Sequence, residues 1–571
     1  MKPNIYTDPV KVQKEFEELQ LARQAELEAF RKIPAVYEEV EEEELMLPLS
    51  DGVRMKTWII RPKTDAKIPV LLQRNPYPMQ LPMIRANMYE FARHGFGGVL
   101  QSCRGTGESE GKWNPNVNER QDGLDTMAWL DSQDWVESIG YYGASYLSLT
   151  GWAMIDAVPD KVKGMYLSVY GTDRHTSAYN DGLFRQDILT SWALGNAGKP
   201  VTADPYESYV YMPQTRVDRD MWDADLPWYR DWITHTDGGD SYWHEGFWDM
   251  LREMPRKFKM PIVLEEGWYD HHLGSSLSGY RYMTPENRAN TLLRIGAWKH
   301  MSQPALEDRD CPNLENNSIL PIYNFFKTIM IDKKPPQTGV LLYQINEDKW
   351  NLTDSWPENA GVKDFFLSNS PCGCKELRTS APAETSEKTF VYDPENPVIS
   401  YGSEACLHSM SIIGSLRQPE PDHRSDVLSY LSEPVEEDIR IIGKINADLY
   451  VKSDAEDTAF SIKVMEVFPD GKAYNIRSGI TTLAYKGHSD TRQTYTPGEV
   501  VKVNVDTWDV AWTIKKGSRV RVDISSSDFP QHSIHSNYPG IWSEQTATKP
   551  ANQTIYAGAK TPSVLHIPYV Q

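Results

Sequence analysis

A chain of 571 residues, 40% hydrophobic and 11% aromatic, is long enough for several packed domains and too apolar to be disordered as a whole. Its formal net charge of −21 repels nucleic acid and anionic membrane surfaces, which excludes both as expected partners. The opening stretch MKPNIYTDPVKVQKEFEELQ has no apolar core of signal-peptide length, and no later run reaches the roughly 18 apolar residues of a membrane span, so the expected location is the cytoplasm.

In chain order, Asp8-Pro9 reads as an N-cap followed by a first-turn proline. Val12, Phe16, Leu19, Leu27 and Phe30 fall on one narrow stripe at 100° per residue, and Pro34 ends the helix, a docking helix with no evident chemistry. The acidic run from Glu38 to Glu44 reads as a solvated edge, and Asp51-Gly52 as a hairpin turn into VRMKTWIIRP. From residue 68, short apolar strands alternate with helical segments such as RQDGLDTMAWLDSQ (120–133). The strands are IPVLLQ (68–73), GGVLQ (97–101), IGYY (139–142), GMYLSVY (164–170), PIVLEEG (261–267) and TLLRIG (291–296). This β-α alternation predicts an α/β domain with a parallel sheet covered on both faces.

Between about 171 and 255 the alternation lapses into a segment that includes Trp192, Trp222, Trp228, Trp232, Trp243 and Trp248, expected as a helical cap over the sheet's carboxyl edge. After FFKTIMIDKKPPQ (325–337) the signal turns to strands. Val520, Val522 and Ile524 alternate with Arg519, Arg521 and Asp523, Val501, Val503 and Val505 follow the same period, and Asp470-Gly471 marks a hairpin. The division expected is an N-terminal helix and acidic linker (1–45), an α/β domain (46–170 and 256–337) interrupted by the cap (171–255), and a C-terminal jelly-roll β-sandwich (338–571). Cys103, Cys311, Cys372, Cys374 and Cys406 are few and irregularly spaced. No second pair answers Cys372-Gly373-Cys374, so these read as reduced loop thiols, with no metal and no cofactor expected.

A parallel sheet binds ligands beyond the carboxyl ends of its strands. Ser145 follows the strand at 139–142, Asp270 follows 261–267, His300 follows 291–296 in AWKH, and Tyr77 follows 68–73 in RNPY. A serine hydroxyl needs a neutral imidazole to take its proton, which makes His300 the candidate base and Asp270 the residue that orients it. The backbone N–H of Tyr146 and the Tyr77 hydroxyl are the candidate donors to an oxyanion. Gly143-Ala144-Ser145 supplies half of a G-x-S-x-G elbow, with Leu147 in place of the second glycine. His271 and His272 compete as a local pair that could equally be a metal site or surface residues. Asp122, Asp125 and Asp131 read as solvated or capping, and Arg104-Gly105-Thr106-Gly107 as a structural turn, since it lacks a phosphate-loop ending.

Together LLQRNPY, RGTGESEG, YYGASYLSLTGW, EEGWYD, GAWKH and GSRVRVDISSSDFP resemble the cocaine esterase/X-prolyl dipeptidyl-peptidase family of α/β-hydrolases, from about residue 45 to the end. In that family the elbow reads roughly G-x-S-Y-x-G, so Leu147 need not be glycine, and Ser148 stands here for the later one. The resemblance implies an α/β-hydrolase domain, a helical cap and a C-terminal jelly roll. It also implies a triad of Ser145, Asp270 and His300, with Tyr77 and the Tyr146 amide as oxyanion hole. Relatives that take α-amino-acid esters carry acidic residues two and three positions after the triad aspartate. Those positions are His272 and Leu273 here, which leaves the esterase branch. The expected substrate is a small-molecule ester, the alternative an amide or X-prolyl peptide cleaved by the same triad, and homo-oligomerisation is left open.

Overall fold

The computed structural model describes residues 9–300, 303–315, 318–370, 374–402, 404 and 412–571, with backbone only for residues 9–12, 15 and 16. Asp8, Cys372 and Cys406 lie outside the described residues, as do the side chains of Val12 and Phe16. The chain opens with helix α1 (Pro9–Arg31), which stops before Pro34 because a proline disfavours helical backbone in the residue ahead of it. Strand β1 (Val40–Pro48) carries the acidic run and forms a hairpin with β2 (Arg54–Pro62) across the Asp51-Gly52 turn. Glu41, Glu43 and Glu44 are exposed on this outermost strand, where charge discourages edge-to-edge pairing with another chain.

The central strands are β3 (Ile68–Asn75), β4 (Gly97–Ser102), β5 (Val136–Ala144) and β6 (Val162–Ser168), then Ile262–Gly267 and Thr291–Gly296. The sheet has ten strands, in the order β1, β2, β4, β3, β5, β6, Ile262–Gly267, Thr291–Gly296, Gly339–Gln344, Lys349–Thr353. From β4 to Gly339–Gln344 the pairing is parallel, and only the two margins are antiparallel. Every residue of β3, β4 and the strand Ile262–Gly267 is buried, as expected of strands covered on both faces. Helices α2 (Leu81–Arg93), α3 (Glu119–Ser132) and α4 (Tyr146–Trp152) connect the early strands.

Residues 339–353 continue the first sheet, because Val340 and Leu342 find the strand Thr291–Gly296 as a neighbour and are buried against it. The cap between 171 and 255 is built of short helices, among them Gln186–Gly195, Pro227–Thr234 and Gly246–Glu253. Trp222, Trp232, Trp243 and Trp248 are core residues, whereas Trp192 and Trp228 are half-buried.

The C-terminal domain is an all-β jelly roll whose sheet closes on itself. Its long strand Ile439–Ser453 pairs with Val501–Ile514 on one side and with Ala551–Ala557 and Val564–Tyr569 on the other. Alternating burial along that strand puts one face into the interior. This domain packs directly on the cap and the α/β domain: the Arg185 guanidinium lies 4.3 Å over the Trp508 ring, and Tyr269 Oη donates to the Ile476 carbonyl at 3.3 Å.

Two side-chain expectations are corrected. Asp122 is not solvated; it is buried between Arg104, 2.6 Å away, and Arg74, 3.7 Å away, which together compensate a carboxylate removed from water. His271 and His272 are not surface residues, for both are buried beneath the cap. Asp125 does cap, accepting from the amide and hydroxyl of Ser50, and Asp131 is half-exposed. The 104–107 segment is a turn whose Gly105 has φ +69°; a Cβ there would lie 2.2 Å from the Trp113 nitrogen.

Candidate active site

Strand β5 runs straight into α4 through Ser145, held at φ 58°, ψ −126°. This is a costly conformation for an L-residue, on the order of 1–3 kcal/mol, and it thrusts the serine side chain out of the sheet edge. Gly143 makes the elbow sterically feasible: a Cβ at that position would sit 2.4 Å from the Leu147 carbonyl oxygen. The Ser145 amide donates to the Ser168 carbonyl at 3.0 Å, tying the elbow to the end of β6. The next residue there, Val169, has φ 48°, a conformation that a β-branched side chain strongly resists. Two strained residues thus stand side by side at the carboxyl edge.

Tyr146, next after the serine, is locked in place by its side chain. Its hydroxyl accepts from the Asn116 amide at 2.8 Å and donates to Glu119 at 2.9 Å, and Glu119 is in turn paired with the buried Arg74 at 2.9 Å. The backbone N–H of Tyr146 is therefore held rigidly beside the serine.

Asp270 and His300 leave adjacent parallel strands, and His300 Nδ1 donates to Asp270 Oδ2 at 2.5 Å. Oδ1 of the same carboxylate accepts from the His272 amide at 2.7 Å. Burial pushes the Asp270 carboxyl up, but the His300 and His271 rings and these hydrogen bonds outweigh it and hold it below its ordinary value. The aspartate is thus ionised at neutral pH. Burial, and after it neighbouring positive charge, drives His271 and His272 well below the ordinary histidine range, so both rings are neutral there. His272 Nδ1 bonds to the Ser177 hydroxyl at 3.0 Å. Donor atoms of Asp270, His271 and His300 lie within 4.8 Å of one another, a spacing that would suit a cation, although both Asp270 oxygens are already engaged.

Ser145, His300, Tyr77 and Trp192 border one cavity of about 630 Å³. Among the described residues no hydrogen bond joins the Ser145 hydroxyl to the His300 ring. The two meet across the cavity, as is common before substrate binds. Trp192 Nε1 donates to Tyr77 Oη at 2.9 Å, and its indole stacks on Tyr146 at 6.0 Å. With one lone pair taken by the indole, the Tyr77 hydroxyl keeps its proton to donate. Burial, first among its causes, raises the phenol well above its ordinary pKa and preserves that donor.

The structure brings together all five residues singled out from the sequence. It adds three features that sequence reasoning missed: the indole that aims Tyr77, the strained Val169, and a cavity wall supplied by α1. Trp192 was visible only as one of many cap tryptophans, and nothing in the sequence marks Val169.

Comparison with known proteins places these features in context. A family model described as X-Pro dipeptidyl-peptidase (S15 family) matches residues 51–302. A second, described as the X-Pro dipeptidyl-peptidase C-terminal non-catalytic domain, matches 333–566. A cocaine esterase of Rhodococcus sp. (strain MB1 Bresler) is 27% identical over 569 residues, which covers 92% of this chain and 98% of that protein. Among solved structures, an aminopeptidase from a marine sediment archaeon, Thaumarchaeota archaeon, superposes with a TM-score of 0.79 at 20% identity, covering 93% of this chain and 96% of that one. An α-amino acid ester hydrolase superposes with a TM-score of 0.80, also at 20% identity, covering 94% and 97%. These two share the fold.

Proposed function

The chain belongs to the cocaine esterase/X-prolyl dipeptidyl-peptidase family of α/β-hydrolases and is a serine hydrolase, and from that premise we propose that it cleaves carboxylic esters through an acyl-enzyme on Ser145. His300 Nε2 takes the serine proton as Oγ attacks the ester carbonyl, and Asp270, which stays ionised, stabilises the imidazolium that forms. The carbonyl oxygen becomes an oxyanion between the Tyr77 hydroxyl and the Tyr146 N–H. Collapse of the tetrahedral intermediate breaks the C–O bond, and the imidazolium returns its proton to the departing alcohol. A water then repeats the sequence on the acyl-enzyme and frees the acid.

The observation that carries this reading is the 2.5 Å Asp270–His300 hydrogen bond bordering the same cavity as the strained Ser145. Labelling with a fluorophosphonate, followed by peptide mass spectrometry, tests it. The adduct is expected on the peptide holding Ser145, and an adduct elsewhere refutes the assignment.

A second reading, cleavage of X-prolyl peptides by the same residues, draws support from the names of both matching family models. Against it, His271 and His272, directly after Asp270, are buried and neutral and offer no carboxylate to a peptide ammonium. Turnover of p-nitrophenyl esters beside X-Pro-p-nitroanilides separates the two, with the esters expected to be cleaved faster. We also infer a cytoplasmic enzyme acting on a small molecule. Cys103 and Cys311 are free thiols, and no helix among the described residues is long and apolar enough to cross a membrane.

A further inference from the structure

Helix α1, expected only to dock, forms one wall of the cavity that holds Ser145. It is anchored near its carboxyl end. Phe30 is fully buried and packs on Phe91, His94 and Tyr323 with ring centroids 5.4, 4.6 and 4.9 Å apart. Arg31 pairs with Glu90 at 2.8 Å, and one turn earlier Glu26 accepts from the Ser318 hydroxyl at 2.8 Å. Ahead of Phe30, Leu19 and Leu27 are half-buried and border the cavity, opposite Met83 and Ile84 of α2 and Ile319 and Ile322 of the helix Ile319–Phe326.

The cavity therefore has two ends of different chemistry. One holds the serine, the imidazole and the phenol; to the other, α1, α2 and the helix Ile319–Phe326 contribute these six apolar side chains beside the uncharged amides of Gln20, Gln24 and Asn87. Its charged groups close on the protein: Glu265 takes the Tyr166 hydroxyl and the Arg294 guanidinium, and Glu26 takes Ser318 and has Arg23 beside it. No ligand charge is required at the apolar end. At about 630 Å³ the space falls in the range that encloses a drug-sized ligand, more than a short acyl group fills.

We propose that the preferred substrates are esters carrying an extended apolar arm, received between α1, α2 and the helix Ile319–Phe326, with α1 as the specificity-determining wall. This rests on Ser145 as the nucleophile. The arm can belong to the acyl or to the alcohol portion, and two substrate series tell these apart: p-nitrophenyl acetate against p-nitrophenyl octanoate, and ethyl acetate against octyl acetate. Each methylene moved from water into an apolar wall is worth roughly a factor of three to four. The long member of one series should accordingly exceed the short one in kcat/KM by at least about tenfold.

Leu27→Trp and Ile322→Trp, which fill the apolar end, should erase that advantage, lowering kcat/KM for the long member of the favoured series at least about tenfold more than for its short member. Met83→Trp, on α2, provides the same test from another element if either variant fails to fold. A flat length dependence in both series overturns the proposal, as does an equal loss on long and short esters in the filled variants. Ser145→Ala measured on the same esters keeps the two ideas separate. Residual turnover there would refute the nucleophile, whereas an inactive Ser145→Ala beside a flat length profile would refute only the extended-arm preference.

Discussion

Two aspartate–histidine hydrogen bonds of similar geometry serve different ends in two regions of this protein. At the carboxyl edge of the α/β sheet, His300 Nδ1 meets Asp270 at 2.5 Å, and the ring borders the cavity that Ser145 shares. At the seam between the cap and the β domain, His488 Nδ1 meets Asp181 at 2.9 Å, and its Nε2 is taken as well, by Asp506 at 3.4 Å. Hydrogen bonds donated to two carboxylates push His488 up to about 10, so it is a standing cation that bridges two domains. Among the described residues His300 has one carboxylate partner, and in the proposed mechanism its other nitrogen serves the reacting group. In the proposed mechanism the Asp–His pair can act as a base because its second nitrogen is left facing a cavity; closed on both sides, such a pair is a clamp.

The largest expected effect removes the group the base acts on. Ser145→Ala should lower kcat on p-nitrophenyl esters by more than about 10⁴-fold, with an unchanged circular dichroism spectrum. Survival of a few per cent of the activity would leave the catalytic pair without its substrate proton and end the distinction drawn above.

Next, Asp270→Asn and Asp181→Asn should be made side by side. The first puts an amide against His300 Nδ1 and should cost about 10³- to 10⁴-fold in kcat, because the wrong imidazole tautomer is favoured. The second alters only the clamp and should leave kcat within about twofold. Equal losses would erase the comparison.

Smaller effects follow at the oxyanion side. Tyr77→Phe keeps the ring and removes the donor, so kcat should fall about 100-fold with KM and Tm nearly unchanged. Trp192→Phe removes the indole N–H that aims the phenol at 2.9 Å and should cost about tenfold, the worth of one hydrogen bond. A larger loss in Trp192→Phe than in Tyr77→Phe would show that the indole acts on substrate directly.

The smallest effect is on stability and has a defined sign. Because folding raises the His488 pKa to about 10, its contribution is complete below the free-histidine value near 6.5 and is lost as pH rises through about 10. His488→Gln should therefore melt below wild type at pH 6 and together with it above pH 10. The side chain is 40% exposed and screened by water, so the gap should be at most about 2 °C. A gap that widens with pH would overturn the assignment of a bridging cation.

Much of the candidate catalytic edge is legible in the chain because its causes are local. Continuous apolar runs such as IPVLLQ and PIVLEEG announce strands buried on both faces. The residues just beyond such runs emerge at one edge whatever the rest of the fold does, which is why Ser145, Asp270, His300 and Tyr77 could be named together. Gly143 is equally local, since the elbow it relieves is made with Leu147, four residues on.

What tertiary structure alone decides is what each surface finally faces. The stripe of Leu19, Leu27 and Phe30 has one period whether it meets a packed core or an open cavity; only Phe30 meets the core, and the two leucines border the cavity. Asp122 is buried because Arg74 and Arg104 converge on it from other elements, and residues 339–353 join the first sheet because a parallel partner waits at its margin. Trp192 becomes the partner of Tyr77 only once the cap has folded over the sheet. Periodicity and turn chemistry specify the elements and the edge from which side chains project; long-range packing chooses their partners, because partners distant in sequence leave no mark on the local pattern.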